Sequence, residues 1–416
     1  MHNKIRSVIL ASVLLASVLL PLILSSSEEL AQSDPEQEKA LVRDNSSFAI
    51  DLYQNLKNNK GNIFFSPCSI STALAMTYGG ARGNTEKEMA KTLKFSLDPE
   101  NLHNAFAQIE SRLVKLEKKG HISLKIANSL WPQKDYEFLP EYQTLIRKNY
   151  GVTINPVDFV KAAEDARITI NTWVEMKTQN KIRQLIPRGV LDELTRLVLV
   201  NAIYFRGNWA SQFKPSQTID NYFHESPEKS VPIKLMFQKN KFRYGETRNL
   251  QILELPYQGN ELSMLLALPK KQVELKDIEK TLTIETLQQW RESLAKRRVR
   301  VYLPKFKITA LFRLDQTLIS MGMADAFNDS RADFSGMDGR PHGLCIGAVL
   351  HKAFVEVNEE GTEAAAATAV VMNTKGGGSF PPVFKADHPF IFLIQENMTG
   401  NILFMGRFSD PAVTEK

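Results

Sequence analysis

The hydrophobic positions of the chain repeat with a helical period at first and with a strand-like period later. Phe48, Leu52 and Leu56 recur every four residues, and 102–116 carries an apolar stripe of the helical kind at Leu102, Ala105, Phe106, Ile109, Leu113 and Leu116. From Ile122 the apolar residues alternate, 347–357 alternates again, and the runs 197–205 and 262–268 are almost wholly apolar. Helices thus mostly precede strands, which predicts an α+β fold with large mixed sheets.

The first 33 residues have the pattern of an export segment. Lys4 and Arg6 precede an apolar run over 8–24, and small residues follow, ending at Ala31 and Ser33. This predicts a signal peptide over 1–33, cleaved after Ser33, and a secreted or extracytoplasmic protein. The alternative is an uncleaved membrane anchor, since the run approaches spanning length. Residues 34–43 are polar and predict a flexible lead, and 44–412 shows neither repeat nor linker, which indicates one domain.

Composition and charge exclude several classes of protein. Of 416 residues, 43% are hydrophobic, so the chain can bury a large core and is neither disordered nor fibrous. Two cysteines exclude a disulfide scaffold, and their spacing fits no zinc site; we expect two buried thiols. A net charge of +6 is too small for a dedicated nucleic-acid binder. Weak polyanion binding stays open through two basic stretches, Arg112, Lys115, Lys118 and Lys119, and Lys296, Arg297, Arg298 and Arg300, although a solvated surface is their more ordinary role.

The sequence offers no motif of catalysis or cofactor binding. The glycines at 376–378 lack the ending of a phosphate-binding loop, and neither His-Glu-x-x-His nor Gly-x-Ser-x-Gly occurs. Seven scattered histidines form no cluster in the sequence. We therefore predict a protein that is not an enzyme and needs no cofactor or metal.

One segment, 359–379, carries conflicting local signals. Its alanine run favours a helix, but Gly361 before it, the β-branched residues at 368–371 within it and three glycines after it do not. The residues are small and able to form a strand, while the flanks have the character of an exposed loop. Such a conflict between local preferences is typical of a functional segment.

At this point the chain resembles the serpins, the suicide inhibitors of serine and cysteine proteases. The resemblance covers about 44–412 and rests on motifs in the family order: 62–70 (NIFFSPCSI), 199–209 (LVNAIYFRGNW), 357–365 (VNEEGTEAA), 387–392 (DHPFIF) and 403–407 (LFMGR). It implies the serpin fold, with helices packed around three β-sheets and an exposed reactive loop, here 359–382. It also implies a monomer whose partner is a serine endopeptidase.

The family mechanism implies that a protease cleaves this loop, which then inserts as a new strand in the main sheet and carries the trapped protease with it. The hinge residues that the resemblance assigns are Glu359, Gly361, Thr362, Ala364, Ala366 and Thr368. From Thr362 onward every second residue is small or apolar, as the buried face of a strand requires. No proline interrupts 362–374, so the ladder of hydrogen bonds can form along the insert.

The expected scissile bond is Lys375–Gly376. The family spacing from Glu359 gives Lys375, which suits the acidic specificity pocket of a trypsin-like protease. Counting back from Pro389 gives Gly378 instead, and we attribute the difference to a longer glycine-rich stretch after the bond. Met372, Thr374 or Phe380 would suit other proteases.

Six further residues match family positions beneath and beside the main sheet. Ser66, Ser69, Asn201 and His351 are polar residues within apolar stretches, and they match the hydrogen-bond network that opens during insertion. Each alone would suit an ordinary satisfied core residue. Trp209 matches the position where the loop enters the sheet, with a plain core tryptophan as the alternative. Lys305 and Glu359 match an ion pair at the same place.

Three readings of the function remain open from sequence. The first is a suicide inhibitor of trypsin-like serine proteases. The second is a non-inhibitory serpin, a carrier or chaperone, which the clean hinge 362–369 disfavours, or a substrate cleaved without trapping. The third is a cross-class inhibitor that also traps elastase-, subtilisin- or papain-like proteases through another bond.

Overall fold

The computed structural model describes residues 34–361 and 380–412. The helices of this part of the chain are α1 (Pro35–Leu56), α2 (Pro67–Tyr78), α3 (Gly83–Leu93), α4 (Pro99–Lys118), α5 (Pro140–Tyr150), α6 (Phe159–Lys177), α7 (Leu275–Lys280), α8 (Ile284–Glu292), α9 (Asp315–Ser320) and α10 (Ser335–Asp338). Over the same residues, no helix is both long and apolar enough to span a bilayer.

The strands come mostly after the first helices, as the change of period predicts. They are β1 (Ile63–Phe65), β2 (Ile122–Pro132), β3 (Leu197–Gly207), β4 (Ile219–Ser226), β5 (Lys229–Glu246), β6 (Leu250–Pro256), β7 (Leu262–Pro269), β8 (Ala295–Pro304), β9 (Phe306–Arg313), β10 (Ala348–Val357), β11 (Val383–Lys385), β12 (Phe390–Glu396) and β13 (Ile402–Phe408). The α+β class is confirmed.

The N-terminal part of α1 differs from the flexible lead expected over 34–43. Asp34 caps the helix by accepting a hydrogen bond from the backbone N–H of Glu36, so the helix begins at Pro35. Arg112 Nε on α4 donates to Glu38 Oε1 at 2.8 Å, and Leu41 is fully buried. Residues 35–43 are therefore helix, with Asp34 as the cap. The polar composition misleads because two of these side chains, Gln37 and Glu38, bond to Asn101 and Arg112 of α4.

The main sheet has four strands in the order β2-β3-β10-β9. Its two central strands, β3 and β10, run parallel and pair from Val198 opposite Ala348 to Tyr204 opposite Phe354. Pairing with the outer strands continues further: β2 follows β3 to Gly207, and β9 follows β10 to Val357. The two central strands are thus unpaired with each other over their last three residues, where the sheet has an open mouth.

The other strands form one nine-stranded sheet in which β5 is the connecting element. The first part of β5 pairs with β4, its middle with β8 and its last residues with β6, so two of the three expected sheets are continuous through this strand. Aromatic side chains fill the space between the two sheets. Phe205 of β3 meets Phe404 of β13 with ring centroids 5.6 Å apart, which places the main core between them.

Candidate functional site

The hinge begins where β10 ends, at the open mouth of the main sheet. Glu359 and Gly361 belong to the described residues, and both are buried. The remaining hinge residues Thr362, Ala364, Ala366 and Thr368, and the reactive pair Lys375 and Gly376, lie outside them. The structure therefore gives the anchor from which the loop departs, and the assignments within 362–379 stay predictions.

The segment after β3 holds the hinge through backbone carbonyls. The backbone N–H of Trp209 donates to the carbonyl of Glu360 at 2.9 Å, and that of Phe213 donates to the carbonyl of Glu359 at 2.8 Å. The indole Nε1 of Trp209 donates to the carbonyl of Asn358 at 3.0 Å. The same indole stacks on Tyr257 at 4.7 Å. Trp209 is therefore both a core residue and a direct contact of the hinge.

Gly361 occupies a position that only glycine fits. Its φ of 122° lies in a region that L side chains avoid, and a Cβ there would stand 2.3 Å from the carbonyl oxygen of Gly207. The N–H of Asn358 donates to the carbonyl of Gly361 at 3.0 Å, which closes a tight turn after β10. This turn places the start of the loop directly against the last residue of β3, at the mouth between the two central strands.

Lys305 and Glu359 form the expected ion pair, with Lys305 Nζ 2.8 Å from Glu359 Oε2. Thr218 Oγ1 donates to the other carboxylate oxygen at 2.7 Å. Burial disfavours ionisation of Glu359, but the bonds from Lys305 and Thr218 outweigh it and hold the pKa below its ordinary value. The lysine side chain is 42% exposed, so the pair contributes about 1 kcal/mol or less and serves to position the hinge.

A row of polar side chains crosses the centre of the main sheet. Asn128, Asn201 and His351 stand opposite one another on β2, β3 and β10. The backbone N–H of Ser66 donates to His351 Nε2 at 3.1 Å. Since a backbone N–H can only donate, Nε2 is the unprotonated nitrogen, and Nδ1 carries the proton that it donates to Asn201 Oδ1. Burial lowers the pKa of His351 to about 3, so the ring is neutral.

The row continues into the start of α2. Asn201 Nδ2 donates to Ser69 Oγ at 2.5 Å and also to Asn128 Oδ1. Ser66 Oγ caps the helix by accepting from the N–H of Ser69 at 3.2 Å. The four residues expected from sequence, Ser66, Ser69, Asn201 and His351, thus belong to one hydrogen-bonded network.

Asn128 is a member of this network that sequence reasoning missed. The signal was present, because Ile122, Leu124 and Ile126 alternate along β2 and the next residue on that face is an asparagine. A polar residue at a position where the pattern demands an apolar one needs a buried partner. Thr218 was also missed, and no local signal marks it.

The cysteines and the first basic stretch have ordinary structural roles in the described residues. Cys68 is buried and Cys345 half-buried, both are free, and burial raises the pKa of the Cys68 thiol to about 11. Of the basic residues of α4, Arg112 binds Glu38. Lys119, just after the helix, lies 2.6 Å from a carboxylate oxygen of Glu261. These pairings neutralise part of the proposed polyanion surface there.

Comparison with known proteins gives one consistent family. The family model described as serpin (serine protease inhibitor) matches residues 43–411. Human leukocyte elastase inhibitor is 45% identical over 382 residues, covering 88% of this chain and 98% of that protein. Serpin B6 of Macaca fascicularis is 43% identical over 380 residues, covering 89% and 99%. Among solved structures, uncleaved ovalbumin matches with a TM-score of 0.81 and 32% identity, covering 89% of this chain and 100% of that one.

The predicted location is contradicted by these relatives. They align over 98% and 99% of their own length, and the family model starts at residue 43, so they have no counterpart of the segment 1–33. The prediction of a secreted or extracytoplasmic protein, with its membrane-anchored alternative, is therefore wrong. The apolar run after Lys4 and Arg6 meets the compositional criteria of an export segment, and composition alone does not decide the destination of a protein. Residues 1–33 lie outside the described residues.

The family model and the relatives agree over nearly the whole domain, and the fold and the motif order agree with them. The chain belongs to the serpins, the serine protease inhibitors, and acts as an inhibitor rather than as an enzyme.

Proposed function

We propose that this serpin inhibits a trypsin-like serine protease, which cleaves Lys375–Gly376 and is trapped when the loop inserts between β3 and β10. The observation that carries the proposal is the open mouth of the main sheet. Pairing of the two central strands ends at Tyr204 and Phe354, and Gly361 places the start of the loop against Gly207 at that point. A strand that enters here has unpaired backbone on both sides to bind.

The length of the loop fits this role. The thirteen residues 362–374 would extend about 43 Å as a strand, while β3, with 11 residues, spans about 36 Å. An insert of that length would reach the far end of the sheet. On insertion the segment would become a fully paired central strand, so in this proposal the uncleaved fold is kinetically trapped and insertion is favourable.

The hinge contacts are compatible with release. The hinge carbonyls are bound by main-chain and indole N–H groups and the Glu359 carboxylate by a half-exposed lysine, so no apolar side chain of the hinge has to leave a core. The polar row below can exchange partners when the strands part, because each of its bonds joins separate strands or the start of α2. In this proposal Ser66, Ser69, Asn201 and His351 form the gate, and Trp209, Lys305 and Glu359 the entrance.

A second candidate target is an elastase-like protease. The names of the relatives favour it, since leukocyte elastase inhibitors of rat and human are among the matching curated proteins. Met372 or Thr374 would then carry the scissile bond. Inhibition of subtilisin- or papain-like proteases through another bond is the wider form of the same proposal.

The test mixes the protein with trypsin and, separately, with neutrophil elastase, followed by a denaturing gel and intact masses. We expect a trypsin complex that survives denaturant and a released peptide that starts at Gly376. Lys375→Ala should abolish the trypsin complex, whereas Lys60→Ala, at an exposed lysine shortly after α1, should not. A released peptide starting elsewhere would move the bond, and a complex with elastase alone would establish the second candidate. Cleavage without any complex would contradict the proposal and indicate a protease substrate or a carrier.

A further inference from the structure

Six basic residues line one face of the β5–β8 pair. In the antiparallel register Lys239, Lys241 and Arg243 stand opposite Arg300, Arg298 and Lys296. Residues directly opposite on such strands share a face and lie about 5 Å apart, and those two apart along one strand share it too. The six side chains therefore form two parallel columns of positive charge, which we call the basic ladder.

The ladder is exposed and largely uncompensated. Five of its residues are exposed and Arg300 is half-buried. Arg243 lies 2.8 Å from Glu254 on the neighbouring strand, and the other five make no ion pair with a described residue. Arg300 Nε is in addition buried without a hydrogen-bond partner in the described part of the chain. Like charges directly opposite destabilise a strand pair, so the arrangement costs stability.

Protection of a sheet edge explains only half of the ladder. The short strand β11 pairs with β8 at Arg300–Tyr302, which leaves 295–299 as an open edge where basic residues discourage pairing with other chains. On the side away from β8, the stretch 236–242 of β5 pairs with no strand of the described residues. The segment after β3 covers this edge instead, through bonds from the Gln238 and Asn240 side chains to Ser211. Because the edge is already covered, Lys239 and Lys241 call for another explanation.

The position of the ladder supplies that explanation, because β8 contacts the end of the reactive loop and β5 contacts the segment that holds its start. At the exit, the N–H of Arg300 donates to the carbonyl of Pro382 at 2.9 Å. At the entrance, Gln238 Nε2 donates to the carbonyl of Ser211 at 3.1 Å and Asn240 Nδ2 to Ser211 Oγ at 2.7 Å. Ser211 lies between Trp209 and Phe213, whose N–H groups hold the hinge.

We propose that the basic ladder is a docking surface for the protease itself, and that it selects proteases with an acidic surface beside the active-site cleft. This rests on the proposed function, since a protease must attack 362–379 for the ladder to meet it. A patch of one sign beside the contact point raises the association rate and disfavours partners of like charge. The ladder would thus add a second determinant of specificity to the scissile residue.

The experiment compares anionic and cationic trypsin, which share a preference for lysine and arginine and differ in surface charge. For each we would measure the rate of loop cleavage and the rate of complex formation at low and high salt. Wild type should react with anionic trypsin about tenfold faster or more at low salt, and salt should remove the difference. The double variant Lys241→Gln/Arg298→Gln should lose most of this preference, whereas Arg43→Gln/Lys87→Gln, which removes two exposed charges elsewhere, should keep it.

The two readouts separate this inference from the proposed function. If the rate of complex formation is equal for both trypsins, or unchanged in the ladder variant, the docking proposal is wrong, but the proposed inhibition of a trypsin-like protease still stands. If the loop is cleaved faster by anionic trypsin but no complex forms, the docking proposal is supported and the proposed covalent trapping is wrong. If added heparin accelerates the wild type with both trypsins and the ladder variant loses that acceleration, the surface binds a polyanion instead, and the docking proposal fails.

Discussion

The two sheets contain equally buried regions that are built from opposite chemistry. In the main sheet, Asn201 and His351 lie at the centre with fully buried polar groups bonded across the strands. In the nine-stranded sheet, Phe64 of β1 stacks on Phe404 at 5.1 Å and on Phe392 at 5.8 Å. Hydrogen bonds are directional and can be exchanged one by one, whereas a packed aromatic cluster loses contact area whenever it moves. The difference indicates that the main sheet is able to open, whereas the nine-stranded sheet is rigid.

The largest expected effect is in the aromatic cluster. Phe392→Ala should lower the free energy of unfolding by about 3–5 kcal/mol, because it removes a fully buried ring and leaves a cavity between the sheets. Phe380→Ala is the matched control, since that ring is 90% exposed, and it should change stability by less than about 0.5 kcal/mol. Urea unfolding followed by circular dichroism measures both. Equal losses for the two variants would contradict the view of this sheet as the rigid half.

A smaller effect is expected in the polar row. His351→Phe keeps the volume but leaves the Ser66 N–H and the Asn201 carbonyl oxygen without partners, which should cost about 1–3 kcal/mol. The variant should also convert faster, on warming, to a form with the uncleaved loop inserted, detected as resistance to further thermal unfolding. His224→Phe, at an exposed histidine, should do neither.

The same variant has a pH signature. Because the pKa of His351 is lowered to about 3 by burial, the wild type has its full stability above pH 6.5. Between pH 6.5 and pH 3 this histidine binds a proton in the unfolded chain but not in the folded protein. The free energy of unfolding therefore falls by up to about 1.4 kcal/mol per pH unit. His103, whose pKa burial lowers to about 4, acts in the same direction in both proteins. The disadvantage of His351→Phe should therefore shrink as the pH falls, and a constant difference would contradict a neutral buried ring.

The smallest effect is expected at the entrance. Glu359→Gln should cost about 1 kcal/mol or less at neutral pH. The pKa of Glu359 is below its ordinary value of 4.5, so its contribution is present above that pH and is lost as the pH falls through the folded pKa. The matched control is Glu356→Gln, which breaks the 3.2 Å pair with Lys307 on the same sheet. Melting temperatures at neutral and acidic pH measure both, and only the Glu359 variant should speed loop insertion after cleavage.

The sequence predicted the strands of the main sheet well because their signals are local. The apolar run over 197–205 and the alternation over 347–357 correspond to β3 and β10, and polar residues inside such runs pointed to the network. Contacts with residues from distant surface segments could not be predicted from the sequence. Thr218 donates a hydrogen bond to Glu359, 141 positions later in the chain, and no sequence pattern near Thr218 indicates this contact.

The basic ladder shows the same limit on a larger scale. The stretch Lys296–Arg300 was visible as a run of positive charge, but its lysine partners on β5 became meaningful only through the strand register. Register depends on which strands meet, and that is a property of the whole fold. The prediction of a flexible lead over 34–43 was wrong for the same reason, because polar side chains at the start of α1 have their partners on α4.

The way in which the hinge is held has a consequence for protein engineering. The donors of Trp209 and Phe213 bind main-chain carbonyls of 358–360, and Gly361 is the last residue that this clasp requires. The clasp itself therefore lies wholly outside 362–379. A new recognition sequence can accordingly be placed within 369–379, after the small hinge residues that insertion requires, without changing these contacts, and libraries of retargeted inhibitors could vary that part alone.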